Sequence, residues 1–172
     1  MLGRLLGSLL GDRDASTVAA LRRRLGMELS ATLYCYANRH YIVTSIMTAP
    51  WEMMVETGEP TVLPIGTTDA ELGQVALHHL AAMVKRRPPS QRDHKLTDWR
   101  AYQVSGAASV RSFASRSMSV MLETTPAGIS LSARGTHVVE GSPWATGEAA
   151  AEPATLGSAI RRVIAEAEAK VT

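Results

Sequence analysis

Apolar positions along this chain switch four times between helical and strand spacing. A first helix is predicted over roughly 16–26, with Val18, Leu21 and Leu25 on one stripe and Gly26 at its end. From Leu29 to Ile65 the residues turn β-branched and aromatic. Thr32–Ala37 and Tyr41–Met47 flank Asn38-Arg39-His40 as a hairpin. Met53–Glu56 and Thr61–Ile65 flank Thr57-Gly58-Glu59-Pro60 and read as a second pair of strands around a turn, with Pro64 favouring an edge.

Thr68 and Asp69 open a helix whose stripe is Leu72, Val75, Ala76, Leu80 and Met83; Pro88-Pro89 closes it. Two short helices follow, Thr97–Val104 and 107–114, parted by Ser105-Gly106. Ser117–Glu123, Ile129–Ala133 and Thr136–Glu140 alternate as strands. Gly141–Pro153, rich in Gly, Ala, Pro and Glu, reads as an exposed loop. A final helix spans about 155–170, with Leu156, Ile160, Val163, Ile164 and Ala167 inward and Arg161, Arg162, Glu166 and Glu168 toward solvent.

Consecutive hairpins imply a mainly antiparallel sheet flanked by helices, hence one α+β domain over 1–172. Residues 1–13 read as a loose arm or short helix, because Gly7 and Ser8 break the leucine run and no cleavage pattern follows. No internal repeat is visible.

Composition narrows the function classes. At 172 residues, 45% hydrophobic and 20% charged, the chain is ordinary for a globular domain. A net charge of +2 gives no bulk electrostatic case for direct nucleic-acid binding. No run approaches the ~18 apolar residues of a membrane span. The single Cys35 excludes an internal disulfide and a cysteine-based zinc site, and its apolar neighbours suit a buried, inert thiol. The cytoplasm is the compartment this implies.

Candidate chemistry is sparse. His78 and His79 are adjacent, so on a helix they point about 100° apart and do not chelate one ion together. His94 and His137 sit in a loop and a strand, where either could meet a carboxylate. No nucleophile elbow, phosphate loop or dinucleotide glycine motif occurs. Ser105-Gly106-Ala107 reads as a helix–helix turn or as an anion site. These patterns point to a binding protein without catalytic residues, cofactor or metal.

The most specific stretch is Leu96–Phe113, with Asp98, Trp99, Tyr102, Ser105, Gly106, Ala107, Ser109, Val110 and Phe113. It resembles immunity proteins of bacterial contact-dependent growth inhibition systems, and the likeness extends over about the last 75 residues, including Ile160, Arg161 and Arg162. The stretch itself reads as scaffold: Asp98 serves a helix start, Trp99, Tyr102, Val110 and Phe113 pack, and Gly106 permits a turn.

The resemblance implies that the chain binds the C-terminal toxin domain of a cognate effector, often a nuclease, and blocks its active site. A basic nuclease site would favour carboxylates and aromatic anchors on its inhibitor. The residues suited to that role are Trp51, Glu52, Glu56, Glu59, Trp144 and Glu148. The alternatives are a small enzyme with a dispersed His/carboxylate site and a self-associating structural adaptor. Oligomeric state is not legible here.

Overall fold

The structure, a computed structural model, describes residues 18–20, 23, 28–48, 54–82, 98–137 and 143–170. Its centre is a six-stranded, wholly antiparallel sheet in the order β3-β2-β1-β4-β5-β6. The strands are β1 (Ser30–Tyr36), β2 (His40–Thr48), β3 (Met54–Pro64), β4 (Ser117–Thr124), β5 (Ile129–Gly135) and β6 (Ala145–Ala149). Among the described residues, four helices of defined extent accompany them: α1 (Asp69–Ala81), α2 (Arg100–Ser105), α3 (Val110–Ser115) and α4 (Pro153–Glu168). The α+β class follows directly. Val18 is helical and buried in the main core.

The β1–β2 hairpin closes at Ala37 and Asn38, both with positive φ (52° and 50°), and Arg39 N–H donates to Tyr36 O at 3.0 Å. Two successive left-handed residues match the right-handed strand twist. Three expectations change. Thr57–Pro60 is not a turn between strands; β3 runs straight through it. Val43 faces Thr61 and Ser45 faces Thr57, so the extra residues, with Gly58 at φ 74°, form a bulge on an edge strand that tolerates Pro60 and Pro64. β5 ends at Gly135 and Thr136 and His137 turn away, so no strand begins at Thr136; 138–140 lie outside the described residues. The sixth strand is instead β6, inside the segment read as a loop.

Small residues explain β6. A Cβ added to Gly147 would sit 2.8 Å from Val163 Cγ2, because α4 lies close against this strand. Ala145 and Ala149 are buried for the same reason. The composition that resembled a loop reflects close approach.

The fold also contains a repeat that sequence reading missed. β1–β2–β3–α1 and β4–β5–β6–α4 are two meanders, each ending in a helix, that grow outward from the antiparallel β1–β4 pair. Both helices lie on one face and cross reciprocally. A Cβ on Gly73 would fall 1.8 Å from Pro153 O, and one on Gly157 1.9 Å from Asp69 O. Leu72-Gly73 and Leu156-Gly157 hold the same fourth and fifth positions of their helices. Contacts that exchange partners in this way are those of a two-fold interface.

α1 starts with a full capping box between Thr68 and Glu71. Glu152 caps α4 by accepting from Ala154 N–H and Thr155 N–H at 3.2 and 2.8 Å, with Pro153 in the first turn. The main core lies between these helices and Ala31, Leu33, Val43, Val120, Leu122 and Leu131. Arg161, expected in solvent, instead ties the layers together. Its guanidinium donates to Asp69 Oδ1 at 2.7 Å, Tyr41 Oη at 2.9 Å, Ile65 O at 3.1 Å and Thr67 O. It also stacks 5.3 Å over the Tyr41 ring.

Candidate binding cleft

The opposite face of the sheet carries a second, aromatic core. Tyr34, Tyr36, Ile42, Ala101 and Phe113 are buried there, with Trp99 and Tyr102 packed against them. Trp99 meets Phe113 edge-on at 4.9 Å. Glu56 pins this layer. It accepts from Tyr34 Oη at 2.6 Å, Trp99 Nε1 at 2.8 Å and Ala101 N–H at 2.9 Å. The N-cap of α2 is Trp99, which makes no side-chain cap bond, and Glu56 supplies the acceptor for the Ala101 N–H in the first turn. Burial raises the Glu56 pKa despite these donors. Gly106, at φ 69°, ends α2 as expected, and Ser105 bonds Tyr102 O and Ala107 N–H, which makes the segment a turn.

His79 is buried and His78 exposed, on divergent sides of α1. Its two ring nitrogens lie 3.0 Å from Ser45 Oγ and 2.9 Å from Thr61 Oγ1, and burial lowers its pKa to about 4. His79 is therefore a neutral tie between helix and sheet. No group of three or more metal-ligating side chains occurs among the described residues.

A cleft of about 730 Å³ opens at one end of the sheet, where β1 turns through Ala37-Asn38, β4 begins and α4 ends. Cys35 and Met118 form part of its floor, Trp144 and His137 one wall, and Arg116 and Glu168 its charged margins. Backbone bonds fix this end: Ala37 N–H to Arg116 O at 2.8 Å, Thr136 N–H to Ser117 O at 3.0 Å, and Trp144 N–H to Ala133 O at 2.8 Å. The indole lies against Gly135, where an added Cβ would stand 2.5 Å from its Cη2. His137 meets Trp144 edge-on at 6.3 Å. The Arg116 guanidinium sits 5.6 Å over Tyr36. Burial pushes the Cys35 thiol up to about 11, so it is protonated at neutral pH and a poor nucleophile.

The candidates chosen from sequence do not gather in one place. Trp144 lines the cleft. Glu148 is exposed on β6, and Glu59 is exposed at the β3 bulge. β3 and β6 are opposite edges of the sheet, so at about 4.8 Å per strand these two lie roughly 24 Å apart and form no common acidic patch. Glu56 is engaged beneath α2. Trp51, Glu52 and His94 lie outside the described residues. Sequence reading missed the cleft because Cys35, Met118, His137, Trp144 and Glu168 come from five separate parts of the chain. Only Trp144, beside Pro143, and His137, read as a histidine that could meet a carboxylate, carried a signal.

No family model matches the chain, and no curated protein matches it. Among solved structures, it is similar to the Neisseria meningitidis protein of unknown function NMB0488, with a TM-score of 0.64 at 16% identity over 81% of this chain and 94% of that one. At that identity the likeness establishes a shared fold.

Proposed function

We propose that this chain is an immunity protein of a contact-dependent growth inhibition system. In this reading it binds the C-terminal toxin domain of a cognate effector in the cytoplasm, occludes its active site and does no chemistry of its own. The toxin is read as a nuclease. The observation that carries the proposal is the stretch Asp98–Phe113, which resembles such proteins and has a specific place in this fold. It forms the α2–α3 layer, held on the sheet by Glu56 and filled by Trp99 and Phe113. A further support is the cleft, whose aromatic wall and charged margins suit protein recognition while its thiol stays protonated.

The test is co-expression with the toxin domain encoded beside it, followed by co-purification and a toxin activity assay. A one-to-one complex with abolished activity is expected. A toxin that stays free and active would end the reading.

A second reading, a small enzyme, draws support from the shared presence of His137 and Glu168 in the cleft. It predicts that His137→Ala abolishes an activity while leaving the fold intact by thermal unfolding.

A further inference from the structure

We propose that β3 is a two-register strand, a conformational switch in which its first half slides along β2 and unlatches Glu56 from the α2–α3 layer. The pairing with β2 supplies the first argument. His40 to Val43 pair with Thr61 to Pro64 in one register, and Ser45 to Thr48 pair with Met54 to Thr57 in another. Extending the first register would set Ser45 against Glu59 instead of Thr57, and Thr48 against Glu56 instead of Met54. That is a slip of two residues. A slip of one residue turns every side chain to the other face, whereas a slip of two turns none. Both registers therefore keep the same side of β3 toward α1.

The anchors supply the second argument, because different layers hold the two halves. The second half is held from the helical side. His79 of α1 lies 2.9 Å from Thr61 Oγ1, and Arg161 of α4 donates to Ile65 O at 3.1 Å and to Thr67 O just beyond the strand. The first half is held from the aromatic side, where Glu56 accepts from Tyr34, Trp99 and Ala101. The bulge takes up the mismatch between these anchors: Thr44 on β2 stands against Gly58, Glu59 and Pro60 on β3. Sliding the first half by two residues would carry Glu56 about 7 Å along the strand, out of reach of its donors.

The residues of the bulge suit both states. Gly58 stands at φ 74° here and adopts an extended φ as readily. A Cβ added there meets nothing within 4 Å, so backbone conformation and not space calls for glycine. Pro60 is also compatible with a straight strand. Ile65 N–H donates to Arg39 O across the ladder, so alternation turns the nitrogen of position 64 away from β2. In the extended first register position 60 shares that orientation, and its proline forfeits no ladder bond on this edge strand. The edge strand and the α2–α3 layer thus form one switch, with Glu56 as its latch.

The experiment uses the full chain alone, with NMR of the backbone contacts across β2 and β3 and of the Trp99 indole N–H. Gly58→Val places its Cβ in open space and disfavours the left-handed bulge. The contact of Ser45 with Thr57 should give way to one with Glu59, and the indole signal should move to its position in Glu56→Ala. Glu56→Ala, which opens the latch directly, should show the same change of partner for Ser45. Gly58→Asn, which tolerates the left-handed region, should keep the parent pairing. A Ser45–Thr57 contact retained in both Gly58→Val and Glu56→Ala would overturn the second register. A change of partner in Gly58→Val with the indole signal unmoved would overturn the latch. Should Glu56→Ala fail to fold, the Ser45 contacts of Gly58→Val decide alone, and its indole signal is compared with that of the parent.

Discussion

The two meanders share a backbone plan but differ on the face turned away from α1 and α4. In the first, that face presents Tyr34, Tyr36 and Ile42, and the chain covers them with α2 and α3. In the second, the same face presents Ser119, Ser130, Ser132, Arg134, Thr146 and Glu148, all half-buried or exposed. The difference teaches that the repeat fixes one face only. Leu72-Gly73 and Leu156-Gly157 keep the helix crossing alike, because any Cβ there collides with backbone. Outward positions have no such constraint, so one half has gained an aromatic cover and the other a solvated surface.

The largest effect should come from breaking what the halves share. Gly73→Ala or Gly157→Ala places a methyl inside van der Waals contact with the opposite helix backbone. Either should cost on the order of 4 kcal/mol or prevent folding, read by thermal and urea unfolding. Similar losses from both would sharpen the two-fold comparison; a tolerated alanine at either site would break it.

Next come changes to what the halves do not share. Phe113→Ala should cost about 3–5 kcal/mol by emptying the aromatic layer, whereas Ser132→Ala on the open face should stay within about 0.5 kcal/mol, both by urea unfolding. A large effect of Ser132→Ala would mean that the second face is covered after all.

The smallest of the three effects is a pH dependence. His79 titrates near 4 when folded and near 6.5 when unfolded, so the unfolded chain binds more protons between those values. Its contribution, up to about 3 kcal/mol, is complete above pH 6.5 and is lost as pH falls toward 4. His40, whose pKa burial also lowers, acts in the same direction. Glu56 acts oppositely: its raised folded pKa makes its contribution complete at low pH and reduced as pH rises through that value. Urea midpoints of the parent and His79→Gln across pH 4–7 check this. The acid-side slope should flatten in the variant.

Much of the architecture was legible because periodicity and caps are local. α1 begins at its predicted Thr68–Glu71 box, though it ends at Ala81, short of the predicted stop at Pro88, and the β1–β2 hairpin stands within a few residues of its predicted bounds. β6 and the β3 bulge were not legible. Glycine and alanine can mean a loop or a tight contact, and only the position of α4 decides which. Glu56 could not be told from a solvated acid, because its donors Tyr34, Trp99 and Ala101 lie 22 to 45 residues away. Arg161 looked like a surface cation until its partners, 92 to 120 residues distant, were in place.

The sequence by itself determined the positions of most helices and strands, β6 and the unbroken β3 excepted, that the strands pair antiparallel, and that Cys35 lies in an apolar run. Those properties follow from backbone sterics and from apolar spacing over a few residues. Only the tertiary structure decided the two-fold pairing of the meanders, the long-range ties of Glu56, His79 and Arg161, and the cleft beside Trp144. Each of these depends on contacts between residues far apart in the chain, which no local pattern encodes.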